Sequence, residues 1–414
     1  MTDQRRITVV LGADQHHVGD LVFEADQGRQ HSVFRYHESW LENPIRFALT
    51  PFMPLQSGWT PYSGEGRYAL PDTFNDTAPD NWGRRVIQAL LGRGATELEI
   101  LLSANDETRT GALRYIDEAG EIQSNDAPPV PRMPTLVDLK KLNERFDQGE
   151  GDLTQIAREL RGTGDSLGGA RPKSAIYDGE ILAIAKYTSE RDELPVEQME
   201  VVTLNLAEEL GLRVARARLE LPHSARPVAI IHRFDRAGKR RMHYISGRSF
   251  LNMRDSQEPV YYTDLVEVMR SNCGNGEQAL REIRELYRRV MFMILVSNTD
   301  DHMKNHGFLL TGRDRWVLSP AFDINPHPNR HKQLKTGISE LSGFEPSIGA
   351  LVETAPMFEV TESDAAAMAS AMAKTIQRRW RGMCRDVGMS STKIDQYTPA
   401  FDHREMDLAL VMDS

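Results

Sequence analysis

The sequence predicts an α+β chain, strand-rich toward its N-terminus and mostly helical toward its C-terminus. Three observations predict this. Short apolar runs at 7–11, 18–24 and 30–36, separated by Gly, Asp and Gln turns, read as strands. After Tyr261 the apolar spacing becomes helical, over 263–271, 277–297 and 361–387. Between an apolar helix and a short strand-like run from Gly307 to Leu310 lies a dense polar turn, Ser297 to His306. A polar turn held by two core elements is where chemistry usually sits.

Composition narrows the class. With 414 residues the chain is long enough for two or three domains with proper cores. An apolar fraction of 40% and a charged fraction of 27% are those of an ordinary globular protein. A net charge of -10 argues against a broad non-specific grip on nucleic acid. Two cysteines, Cys273 and Cys384, supply neither a disulfide framework nor a zinc set, which suits a reducing compartment. The first residues break at Gly12 without the apolar run of a signal peptide, and no stretch approaches the length of a membrane span. A cytoplasmic protein with no membrane contact is expected.

Taken in order, 41–66 is rich in Pro, Gly and aromatics and reads as irregular. Asp80 is placed to cap a helix starting near Asn81, with Val86 and Leu90 inward and Arg84 and Arg85 outward. A short helix from Glu97 to Asn105 and a strand over 111–116 follow. The Pro-rich stretch 126–134 is the clearest linker, so a first domain over 1–127 is expected. From Leu136 to Arg161 the pattern is helical. Gly168 and Gly169 then permit close approach to an anion, with Arg171 and Lys173 as nearby positive charge, although a β-turn with basic neighbours is the plainer reading. Ile181 to Tyr187 is a buried strand carrying Lys186 near its end. The helix Glu197 to Leu210, stopped at Gly211, carries Glu200 and Glu197. A strand lysine paired with a glutamate of the next helix is how a kinase small lobe holds nucleotide phosphates, with Glu200 the first choice and Glu197 the second. Val228 to Arg236 reads as a buried strand running into a polar segment, the place of a kinase hinge. The basic run Arg378, Arg379 and Arg381 around Trp380 reads as a solvated helix face.

The polar turn has informative spacing. Asp300 and Asn305 form D-x-x-x-x-N, in which a carboxylate orients and deprotonates an attacking hydroxyl while the amide oxygen holds Mg²⁺. A second carboxylate for the same metal is expected on a nearby turn, and Asp323 in Phe322-Asp323-Ile324-Asn325 supplies it. Asp301 falls outside this register. Helix capping or an Asx turn is the plainer account of an Asp pair alone.

Together these residues resemble the HipA family of toxin serine/threonine kinases. The resemblance rests on Ser166-Leu167-Gly168-Gly169-Ala170-Arg171-Pro172-Lys173, Lys186, Glu200, Arg233-Phe234-Asp235-Arg236, the loop Asn298 to Asn305, and Phe322-Asp323. It implies a two-lobed, protein-kinase-like fold with a β-rich N-terminal subdomain over 1–127, a small lobe over 135–236 and a helical lobe over 237–414. It implies Asp300 as catalytic base, and Asn305 and Asp323 as Mg²⁺ ligands. For ATP it implies Lys186 on the phosphates, Gly168, Gly169, Ala170, Arg171, Pro172 and Lys173 in the covering loop, His232, Arg233 and Phe234 at the adenine hinge, and His302 and Lys304 lining the site. Ser166 corresponds to the family's autophosphorylated serine. The implied partners are a small helix-turn-helix antitoxin, through which alone DNA is contacted, and an aminoacyl-tRNA synthetase as substrate.

The chain departs from the family pattern where His232 replaces a frequent glutamate, where Asp323 is followed by Ile324-Asn325 in place of Phe-Gly, and in a longer, Pro-rich 41–66. Two other kinds of function fit part of the pattern. One is a small-molecule kinase of the aminoglycoside or choline type; the other is a nucleotide-gated binding partner of an antitoxin that does no chemistry. A metal hydrolase built on Asp300, His302, Asp323 and His327 lacks a recognised zinc spacing.

Overall fold

The structure, a computed structural model, describes the chain except residues 1–2, 27, 65, 93, 125–128, 162, 164–170, 190–191, 222–223, 225, 254–257, 314, 329–332 and 413–414. Packing divides it into two compact units, Met1–Arg191 with His232–Ile245, and Asp192–Ile231 with Ser246–Ser414. The expected α+β character is present, with sheets concentrated in the N-terminal half and helices in the C-terminal half.

In the first unit the expected strands are β1 (Asp3–Leu11), β2 (His16–Asp26) and β3 (Arg29–Tyr36). With β4 (Thr60–Ser63) and β5 (Leu113–Ile116) they form one sheet in the order β4-β3-β2-β1-β5. Alternating apolar residues, among them Ile7, Val9, Leu21, Phe23 and Phe34, turn one face inward against Trp40 and Phe74. β4 lies inside the stretch expected to be irregular. It is short, pairs only along the edge of β3, and carries Pro61 where an edge strand tolerates it.

The helix Asn81–Leu91 begins where Asp80 accepts from the Gly83 N–H at 2.9 Å. Its Trp82 and Val86 pack on Phe146, Ile156, Ala157 and Leu160. Arg84 is not solvated as expected: it donates twice to Glu97, at 2.9 and 2.7 Å. Burying a helix face drew its basic residue to the nearest carboxylate. The helical stretch after 136 is two helices, Leu136–Gln148 and Leu153–Leu160, because Gly149 turns the chain at φ +75° and Asp152 caps the second. β6 (Lys173–Asp178) and β7 (Ile181–Tyr187) then form a tight hairpin.

The second unit is built on the helix Gly276–Leu295, whose Ile283, Leu286, Tyr287, Val290 and Ile294 are buried as the spacing predicts. Burying each such side chain stabilises the unit by roughly 1.5–3 kcal/mol. The helices Tyr262–Asn272 and Glu362–Asp386 pack on it, Val196–Glu209 packs on Glu362–Asp386, and β8 (Ala217–Glu220), which packs on Val196–Glu209, pairs with β9 (Val228–His232). Trp380 is fully buried and Arg379 pairs with Glu209 at 2.8 Å, so the basic run is partly anchored. Among the described residues no helix is long and apolar enough to cross a membrane.

Candidate active site

The polar turn follows directly from how the long helix ends. Ser297 takes a left-handed φ of +55°, and the Asn298 N–H donates back to Met293 O at 2.9 Å. This turns the chain out of the helix at a fixed angle. Thr299 O accepts from the Lys335 N–H at 3.0 Å, so the backbone is held just before Asp300. Asp300 itself is exposed. Its carbonyl accepts from the His302 N–H at 3.0 Å and from Asn305 Nδ2 at 3.2 Å. The loop therefore folds Asn305 back onto Asp300. Beyond it, Phe308 stacks on Phe250 with ring centroids 3.7 Å apart and fixes the start of the next strand.

Asp323 is brought to this loop by two ties. Asn325 N–H donates to Asn298 Oδ1 at 3.2 Å, and His327 N–H donates to Ser297 O at 3.1 Å. Upstream, Ala321 exchanges backbone bonds with Arg213 and Ala215. Asp323 lies between these anchors with φ +58° and accepts from Asn325 Nδ2 at 3.0 Å. A non-glycine residue at positive φ costs of order 1 kcal/mol or more and persists only where its surroundings impose it. The segment thus holds one carboxylate in an aimed position.

Asp301 has a structural role that its spacing did not suggest. It is 1% exposed, and its Oδ2 accepts from Tyr262 Oη at 2.6 Å and from His306 Nε2 at 2.8 Å. Burial alone would raise its pKa, but the His306 and Tyr262 donors outweigh that and hold it below the usual carboxylate range. The Tyr262 phenol, buried against this carboxylate, is pushed well above its ordinary value. Asp301 caps no helix.

The first unit carries the expected phosphate and hinge residues. Lys173 and Lys186 are direct cross-strand partners of β6 and β7, so both project on one face. Lys173 is 2% exposed and its Nζ lies 3.1 Å from Asp80 Oδ2. The capping carboxylate of the Asn81 helix thereby neutralises one of two facing lysines. His232 Nε2 donates to Asp178 Oδ2 at 2.8 Å. Arg233 is buried: Nε donates to Asp235 Oδ1 at 2.8 Å, and its backbone N–H donates to Leu182 O at 3.0 Å. Asp235 also accepts from Arg236 Nη1 and the Gly111 N–H, both at 2.7 Å. Burial would raise the Asp235 carboxyl, but the two guanidinium groups hold it well below the usual range. With its side chain so engaged, Arg233 has its backbone left for any further contact.

Ser166, Gly168, Gly169 and Ala170 lie outside the described residues. Arg171 is half-buried and Pro172 buried, with Pro172 O accepting from the Tyr187 N–H at 2.9 Å. His302 and Lys304 are exposed beside Asp300. Glu197 and Glu200 are both buried on their helix in the second unit.

The donor set fits Mg²⁺. Asn305 spends its amide N–H on Asp300 O, which leaves Oδ1 as an oxygen without a hydrogen-bond partner among the described residues. Asp323 adds a carboxylate. One or two protein oxygens, with water and phosphate completing the shell, are what Mg²⁺ usually takes. Among the described residues no three His, Cys, Asp or Glu side chains gather at a metal-binding distance.

Comparison with known proteins completes this picture. The structure resembles that of HipA from Shewanella oneidensis, solved in a toxin–antitoxin complex with HipB and operator DNA. The likeness covers 98% of this chain and 96% of that one, with a TM-score of 0.68 and 16% identity. A Haemophilus influenzae protein described provisionally as a kinase is 26% identical over 108 residues, which span only 32% of that relative's length. The HipA N-terminal domain family matches residues 9–116. The HipA-like C-terminal domain family matches residues 165–380, more than half of the sequence, and the chain belongs to the HipA family.

Proposed function

We propose that the chain is an ATP- and Mg²⁺-dependent serine/threonine protein kinase acting as the toxin of a toxin–antitoxin module. The observation that carries this reading is the double tie between the Asp300 loop and the Asp323 segment, through Asn298–Asn325 and Ser297–His327. It holds a candidate base, an amide oxygen and a carboxylate in one fixed loop pair, as phosphoryl transfer requires.

In this reading Asp300 orients the substrate hydroxyl and accepts its proton. Asn305 and Asp323 hold the metal, which when bound neutralises the nucleotide phosphates. Lys186 contacts those phosphates, with Lys173, held by Asp80, beside it. The backbone of 232–234 meets the adenine, and His302 and Lys304 line the site. Ser166 is the serine the kinase modifies on itself. Three functional segments follow: 1–127, 135–236 and 237–414. By analogy with the Shewanella complex, the partner is a HipB-type helix-turn-helix antitoxin, with DNA reached only through it. An aminoacyl-tRNA synthetase is the proposed substrate.

The test is mass spectrometry of the purified protein after incubation with ATP and Mg²⁺. Phosphate on Ser166 is expected. Asp300→Asn should lower the rate by about three orders of magnitude while keeping most ATP binding. Near-normal phosphorylation by that variant would remove Asp300 from its role.

A further inference from the structure

Three residues without a part in this chemistry are buried beside residues that have one. Along the loop, Asp300, His302 and Lys304 are exposed, while Asp301, Met303 and His306 are buried. The bond from His306 Nε2 to Asp301 Oδ2, at 2.8 Å, closes the loop across 301–306. Tyr262, from the first turn of its helix, donates to the same oxygen at 2.6 Å. Asp300 sits just outside one end of this closed segment and Asn305 just inside the other. The segment is also pinned from outside. Thr336 Oγ1 donates to Asp301 O at 2.7 Å, and the Gly247 N–H donates to His306 O at 2.7 Å.

We propose that Asp301, His306 and Tyr262 form a positioning clamp that sets the separation of Asp300 from Asn305. The proposal rests on the kinase reading above. These residues touch neither substrate nor nucleotide; they act through Asp300 and Asn305. An exposed pair across this loop would contribute little. Losing His306 or Tyr262 leaves the buried Asp301 carboxylate short of a donor, so the loop cannot relax to another closed form at low cost. Phosphoryl transfer depends on placement, and a shift of about 1 Å lowers the rate by about 100-fold.

The geometry also supplies a graded test. Both donors converge on Oδ2, and Asp301 Oδ1 has no hydrogen-bond partner among the described residues. An asparagine whose amide oxygen replaces Oδ2 keeps both hydrogen bonds and loses the charge; an alanine loses everything. The full chain would be compared with Asp301→Asn, Asp301→Ala, Tyr262→Phe and Asp300→Asn. Rates would be taken per folded molecule, with folding followed by circular dichroism. A fluorescent ATP analogue would report nucleotide binding as Mg²⁺ is titrated.

Asp301→Ala should lower kcat by about 100-fold, and Asp301→Asn by about tenfold, with KM for ATP changed by less than about threefold. Asp301→Ala should also raise the Mg²⁺ needed for half-maximal binding by about tenfold, because Asn305 is displaced. Should the alanine variant fail to fold, Tyr262→Phe, which removes one donor and keeps the ring, should still lower kcat by about fivefold. An active wild type beside Asp301 and Tyr262 variants with lower melting temperatures but unchanged kcat and Mg²⁺ dependence overturns the clamp alone. A wild type that transfers no phosphate overturns the kinase reading and the clamp with it.

Discussion

Replacing Asp235 should unfold the first unit more readily than any exposed substitution. Its carboxylate is 3% exposed and accepts from Arg233, Arg236 Nη1 and the Gly111 N–H. Asp235→Ala removes these charge-assisted bonds together and leaves the buried Arg233 guanidinium without its counter-charge. Breaking such a pair from one side costs about 3–5 kcal/mol. In a unit of roughly two hundred residues each kcal/mol moves the midpoint by about 2–4 °C, so a fall of about 10 °C is expected. Asp235→Asn keeps the shape and one acceptor, and should lose about half as much.

Thermal unfolding followed by circular dichroism at pH 7.5 measures this directly. The pH dependence adds a sign. The folded carboxyl titrates below its unfolded value, so its contribution is complete above about pH 4 and is lost as pH falls further. Asp235→Asn lacks that contribution at every pH. The gap between the two proteins should therefore narrow below about pH 4. An alanine variant melting within about 2 °C of wild type, or a gap that widens on acidification, would refute the reasoning. Because Arg233 sits in the proposed hinge, the same variant should bind ATP more weakly even where it stays folded.

Two further outcomes follow from the geometry. His243 is buried, donates to Leu49 O at 2.9 Å, and is held neutral by burial with its pKa lowered to about 4. Stability should therefore fall by about 3 kcal/mol between pH 6.5 and 4, as the unfolded chain takes a proton that the folded one refuses. In His243→Gln that part of the fall should be absent in denaturant titrations at the two pH values. Gly247→Ala places a methyl 2.8 Å from Met303 O and 3.2 Å from His306 Cβ, and a backbone carbonyl cannot swing aside. A stability loss of about 1–3 kcal/mol and a kcat about tenfold lower are expected; unchanged kinetics would show that the loop absorbs the methyl.

The strands and helices of this chain are legible wherever one face is buried against one neighbour. β3 alternates cleanly, β1 and β2 alternate over part of their length, and the long helix keeps apolar spacing from Ile283 to Ile294 because a single core receives it. Legibility fails where a short element is chosen by its partner. Thr60–Ser63 is a strand because β3 offers an unpaired edge, and nothing within 41–66 announces that. Similarly, the break at Gly149 is visible only in hindsight. Two helices separated by four residues share one apolar pattern, and only the cap at Asp152 marks the second start.

The site divides by the same logic. Asp300, Asn305 and Asp323 stand out because the proposed chemistry demands those residue types at workable spacing. Asp301 falls outside that register. Its partner Tyr262 lies 39 residues upstream, so no local pattern reveals it. Lys173 follows a Gly-Gly-Ala-Arg-Pro run, and nothing in that run shows that Asp80, 93 residues earlier, pairs with its ammonium. A sequence displays every charge but not which counter-charge folding delivers to it. Burial makes that pairing costly to break. The charges that spacing overlooks therefore sit where the backbone is held most firmly. Between 300 and 306, the exposed residues of the proposed site and the buried residues of the proposed clamp are interleaved along one short turn. Reading type alone finds the first set, and only the folded partners identify the second.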